Sequence, residues 1–79
     1  PWALFDRGLL ALDRREYRQA LADFDRFVAI RPIPAGLINR AIARLGLDDA
    51  AGAVADLDRA LADPQTPTRA YFLRASALD

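Results

Sequence analysis

The 79-residue chain has no cysteine, histidine, lysine or methionine, a single glutamate, a single serine and two threonines. Without Cys or His there is no disulfide, no thiolate or imidazole chemistry and no ordinary zinc site. With neither lysine nor histidine, nothing is available to activate Ser76, Thr66 or Thr68 as a nucleophile. Asp6 and Asp13 are seven apart on one helical face, about 10 Å along an axis rising about 1.5 Å per residue, and no other residue supports them as an acid–base pair. Gly36 and Gly46 are isolated, so there is no phosphate loop. An enzyme, a metal site and a cofactor are therefore not expected. No run approaches the roughly 20 apolar residues that span a bilayer. The segment Pro1 to Leu12 is interrupted by Asp6 and Arg7 and has no cationic start, so it does not read as a signal peptide. That leaves the cytoplasm as the default compartment and no membrane as partner. Eleven arginines face ten aspartates and one glutamate, for a formal net charge of zero, which argues against general binding of nucleic acid. Arg14, Arg15 and Arg18 cluster, but Asp13 and Glu16 sit among them.

What is present is alanine and repetition. Seventeen of the residues are alanine and 53% of the chain is hydrophobic. Arginine as the sole basic residue, together with so much alanine, points to a GC-rich coding sequence and a bacterial source. A chain that starts with proline is expected to be part of a longer one. Pro1, Pro34 and Pro67 recur every 33 residues, and Arg7-Gly8, Arg40-Ala41 and Arg74-Ala75 recur at 33 and 34. The stretch Ala20 to Arg26 aligns with Ala53 to Arg59, every position keeping its identity or its apolar character. Pro32 and Pro64 close the two stretches. A repeat of this length indicates stacked supersecondary units.

Each unit reads as two helices. Trp2, Phe5, Leu9 and Leu12 share one face at helical spacing, beside Leu4, Gly8 and Ala11. After Arg14-Arg15-Glu16, a second helix buries Tyr17, Ala20, Leu21, Phe24, Phe27 and Val28, and Pro32 and Pro34 stop it. The next helix carries Leu37, Ile38, Ala41, Ile42 and Leu45, with Gly46 as C-cap and Asp48 or Asp49 as the following N-cap. Val54, Leu57, Ala60 and Leu61 form the fourth inner face. Thr66 as N-cap and Pro67 at the first helical position start the fifth helix. Asp23 with Arg26, and Asp56 with Arg59, are three apart and duplicated, which reads as a solvated helix face.

Gly8, Tyr17, Ala20, Phe24 and Pro32 fall in a pattern that resembles the tetratricopeptide repeat. The resemblance covers the whole chain and is most specific in the first unit. In the second, Ala41 and Ala53 hold the small sites, Leu57 replaces the aromatic and Ala50 stands where a tyrosine is expected. Phe27 is larger than the family's usual alanine. The resemblance implies an all-α fold: an α-solenoid of five helices in antiparallel pairs, with repeat one at 1–33, repeat two at 34–66 and a half repeat or capping helix at 67–79.

It also implies that the first helices line a concave groove that binds a peptide or protein. The expected binding residues are Trp2, Phe5, Leu9, Leu12, Ile38, Asn39, Ile42, Arg69 and Phe72. Exposed aromatic and aliphatic anchors of this kind supply affinity for helical or extended partners. The family's carboxylate-gripping variant is not expected, because its basic and amide positions fall on Phe5, Leu9, Asn39, Arg69 and Leu73 and only Asn39 matches outright. The alternative is a structural segment whose groove is covered by a parent chain or by self-association through the ends, since Tyr71, Phe72, Leu73 and Leu78 leave the last helix apolar on more than one side.

Overall fold

The computed structural model describes all residues from Pro1 to Asp79. Five α-helices follow one another with no strand: α1 (Trp2–Asp13), α2 (Tyr17–Ile30), α3 (Pro34–Gly46), α4 (Ala50–Leu61) and α5 (Arg69–Leu78). Each helix packs against the next, and α3 also touches α1 and α5. The molecule measures 28 × 25 × 17 Å. Its short axis is about two helices thick at roughly 10 Å each, so every helix keeps a side in solvent.

The 33-residue period is written into the backbone as well as the side chains. Only two non-glycine residues have positive φ, Arg15 at 58° and Asp48 at 60°, and they are one period apart. Each sits just past the C-cap of a helix. Around Arg15, the Arg15 amide bonds the Leu12 carbonyl at 3.0 Å and the Glu16 amide bonds Ala11 at 2.8 Å. Around Asp48, the amides of Asp48 and Asp49 bond Leu45 and Arg44 at 3.1 and 2.8 Å. These are paired Schellman closures, which satisfy the orphan carbonyls at a helix end. Gly46 is not the left-handed residue expected of a glycine cap; it is the last residue of α3, packed under the Tyr17 ring of α2.

The other helix ends follow local chemistry. Pro34 occupies the first turn of α3, after an extended Ile33. Asp49 caps α4 by accepting from the Gly52 amide at 3.0 Å. Thr66 departs from expectation. Helix α5 begins at Arg69 rather than at Pro67, and the Thr66 hydroxyl donates backwards to the Ala60 carbonyl at the end of α4. The hydroxyl serves the helix it follows, because Pro67 and Thr68 form a tighter turn before α5.

The core is built from small and large residues in register. Ala20, Ala41, Ala53, Ala60 and Ala70 are fully buried between helices, alongside Phe24, Phe27, Ile38 and Leu57. A Cβ at Gly8 would lie 2.7 Å from the Phe24 ring, and one at Gly36 would lie 2.7 Å from the Phe27 ring. The oversized Phe27 is thus accommodated by a glycine on α3, where a methyl group would collide.

Candidate functional site

Arg7 and Arg40, with Arg44 assisting, organise the polar interior. Arg7 of α1 donates to Asp23 of α2 through Nη2 at 2.6 Å and Nε at 3.1 Å, and Gln19 adds a third donor at 3.1 Å. One period later, Arg40 of α3 donates to Asp56 of α4 through Nη2 at 2.6 Å and Nε at 3.0 Å, with Arg44 adding 3.1 Å. Arg40 also reaches back to Asp25 of α2 at 3.3 Å. On the surface, Arg74 of α5 reaches back to Asp58 of α4 through Nε at 2.6 Å. The carboxylates of Asp23 and Asp56 are 0% and 2% exposed. The solvated face expected of them is therefore corrected: they lie inside the helix pairs, gripped from the preceding helix and not by Arg26 or Arg59 on their own. Burial alone would raise a carboxyl pKa. Hydrogen bonds from Arg7 prevail at Asp23, with Gln19 assisting, and hold it below the usual carboxylate range, while Asp23 raises Arg7. Asp56 likewise raises Arg40 against the opposing effect of burial. No buried side-chain polar atom lacks a partner.

The expected binding residues separate into three groups. Ile38 is 1% exposed and Asn39 is buried, its amide donating to the Ala35 carbonyl at 2.8 Å within its own helix. Neither offers its side chain to a partner. Phe5, Leu12 and Ile42 are half-buried. Phe5 stacks with Trp2, Phe24 and Phe27 at centroid distances of 5.6, 5.7 and 5.0 Å, so its main role is packing. Trp2, Leu9, Arg69 and Phe72 are exposed, Trp2 at 51% and Phe72 at 72%. Trp2 leans on Phe27 at 5.3 Å and carries the Arg31 guanidinium 5.9 Å from its ring centre. Large exposed apolar residues outside the expected set are Leu10, Ile30, Tyr71 and Leu78.

One open cleft of about 520 Å³ exists, at the α1–α2 turn, lined by Arg15, Glu16, Tyr17, Arg18, Gln19 and Leu47. It contains none of the expected binding residues, and Glu16 dilutes its two arginines. No group of three or more acidic, His or Cys side chains is placed to hold a metal. No helix is long and apolar enough to cross a membrane.

The signal for the arginine–aspartate pairs was present in the sequence as a constant separation of 16 between Arg7 and Asp23 and between Arg40 and Asp56. It is found by looking across a helix hairpin rather than three or four residues along one helix. No protein-family model matches the chain, and neither does any curated protein or solved structure.

Proposed function

We propose that the chain is a protein- or peptide-binding module, a tetratricopeptide-like α-solenoid that presents the face of its first helices to a partner. The observation that carries this reading is the exposure of apolar residues on both helices that flank α3: Trp2, Leu9 and Leu10 on α1, and Tyr71, Phe72 and Leu78 on α5. Apolar exposure of this extent on a small chain favours an interaction surface. The duplicated Schellman turns and buried ion pairs support a repeat architecture. Anchors on this face are Trp2, Leu9 and Leu12 of α1 and Ile42 of α3, with Arg69 of α5 as a polar orienter. A structural segment covered by other protein is the second reading, favoured by the exposure of Tyr71, Phe72 and Leu78 on the last helix.

Leu9→Arg and Ile42→Arg test the first reading. Capture of a partner from cell extract should be lost in both. Melting should be kept in Leu9→Arg and lowered in Ile42→Arg, whose side chain packs on the core. Retained capture by both variants would sink the first reading. Ile38→Arg is unsuitable as a probe because it would unfold the core.

A further inference from the structure

The five helices contain one site twice, and a third copy of it lies open. In α1, Gly8 receives the Phe24 ring of α2, and the adjacent Arg7 holds Asp23. In α3, Ala41 is fully buried in a core shared with Leu57 of α4, and the adjacent Arg40 holds Asp56. Each accepting helix thus offers an arginine followed by a small residue. Each entering helix answers with an aspartate followed directly by Phe or Leu, sixteen residues after the arginine. Helix α5 repeats the accepting half as Arg74-Ala75, 34 residues after Arg40-Ala41, one more than the 33-residue period. The fully buried Ala70 then corresponds to the buried Gly36, and Phe72 corresponds to Ile38 and Phe5.

The corresponding residues differ in cover. Ile38 and Ala41 are buried, whereas Phe72 is 72% exposed and Ala75 is exposed. The corresponding arginines differ in bonding. Arg40 uses Nε and Nη2 on Asp56 and Nη1 on Asp25, but Arg74 uses only Nε, on Asp58, which stands one period after Asp25. The backward half of the arginine's bonding is therefore made, and both terminal nitrogens of Arg74 are left without a protein acceptor. An exposed apolar face beside an under-used guanidinium suits a carboxylate and an apolar side chain together, since Arg recognises carboxylates through two nitrogens in a fixed plane.

We infer that the open side of α5, formed by Phe72, Ala75 and the terminal nitrogens of Arg74, docks an amphipathic helix of a partner protein that carries aspartate followed directly by phenylalanine or leucine. A second copy of this chain does not fit the requirement. Its own Asp23-Phe24 and Asp56-Leu57 pairs are at most 2% exposed and already engaged. The surface shares Phe72 with the apolar residues behind the proposed binding face, but it lies on α5 alone and includes neither Leu9 of α1 nor Ile42 of α3.

The probe is a labelled peptide copying residues 48–62, which contains α4 with its Asp49 cap, titrated with the 79-residue chain. Because an isolated helix this short is marginal in water, the same helix is also tethered, as a copy of residues 46–62 fused after Asp79. The fusion places the copied Asp56 sixteen residues beyond Arg74, the spacing of the two closed pairs. Saturable binding of the peptide, or slowed amide exchange across α5 in the fusion, is expected. Arg74→Gln in the chain and Asp56→Asn in the probe should each weaken it about tenfold, the strength of a charge-assisted hydrogen bond. Combining them should cost little more than either alone. Phe72→Ser should abolish it, and Leu9→Arg should leave it unchanged, so this site and the groove face fail separately. Three results would overturn the inference. The first is no binding at about 1 mM together with no protection in the fusion. The second is an effect indifferent to Arg74→Gln and Asp56→Asn. The third is a dimer of the unfused chain, by sedimentation, that Phe72→Ser dissolves.

Discussion

Gly8 and Phe24 are fitted to each other: the ring of Phe24 occupies the space a Cβ on residue 8 would need, at 2.7 Å, and Phe24 itself is fully buried. The corresponding positions in the second unit are Ala41 and Leu57. Volume removed from one helix is thus restored on the other: glycine faces phenylalanine in the first unit, and alanine faces leucine in the second.

Gly8→Ala should therefore destabilise the chain by about 1–3 kcal/mol through overpacking, even though alanine is favoured over glycine in a helix interior by about 1 kcal/mol. Gly8→Ala combined with Phe24→Leu installs the pair of the second unit and should recover most of the loss. Urea unfolding of the single and double variants decides the matter; equal stability of the two would refute the fit.

Asp56→Ala should cost about 3 kcal/mol, because it leaves Arg40, with only 13% of its side chain exposed, buried beside no carboxylate except the exposed Asp25. Asp23→Ala should cost less. Its partner Arg7 is 57% exposed and turns to water when released. Denaturation midpoints of the two variants should rank in that order.

Stability should fall in acid for a definite reason. Asp23 has a lower pKa folded than its ordinary value of 3.8, so below that value the unfolded chain binds more protons than the folded one. Its contribution is complete above the ordinary value and disappears as the pH falls through the folded one. Asp23→Asn should lower stability at pH 7 and flatten the loss between pH 5 and the acid limit, as followed by melting temperature against pH. An unchanged acid slope in that variant would rule Asp23 out as its source.

Arg15 and Asp48 hold left-handed backbone that suits glycine. Arg15→Gly and Asp48→Gly should each stabilise the chain by about 0.5–1 kcal/mol, since an L side chain is disfavoured there by roughly 1–2 kcal/mol and glycine's added unfolded-state freedom offsets part of the gain. In a domain this small the shift corresponds to a rise of about 2–8 °C in Tm. A lower Tm in both variants would show that the side chains contribute more than the backbone strain costs.

The helices themselves were legible. Apolar residues at helical spacing, the proline break after the second helix and Asp49 as a cap all act over one turn, and the structure agrees with them. The left-handed turns were less so. Nothing local distinguishes Arg15 from Arg14, and the site is chosen by where α2 must begin to pack on α1. Of the expected binding face, the exposure of Trp2, Leu9 and Phe72 agrees with the periodic pattern, whereas Ile38 does not. Periodicity identifies an apolar face but not what covers it.

The amino-acid sequence by itself determined five helices and their two-unit period, because helix propensity, capping and proline breaks are short-range. It also determined which chemistries are absent, because that is a matter of composition. Only the tertiary structure decided that Asp23 and Asp56 are buried acceptors rather than solvated charges. The two partners of each pair are sixteen residues apart and meet only when a hairpin closes. The same closure hides Ile38 and leaves Phe72 in solvent, although both occupy equivalent places in the repeat. A second helix covers the one and not the other.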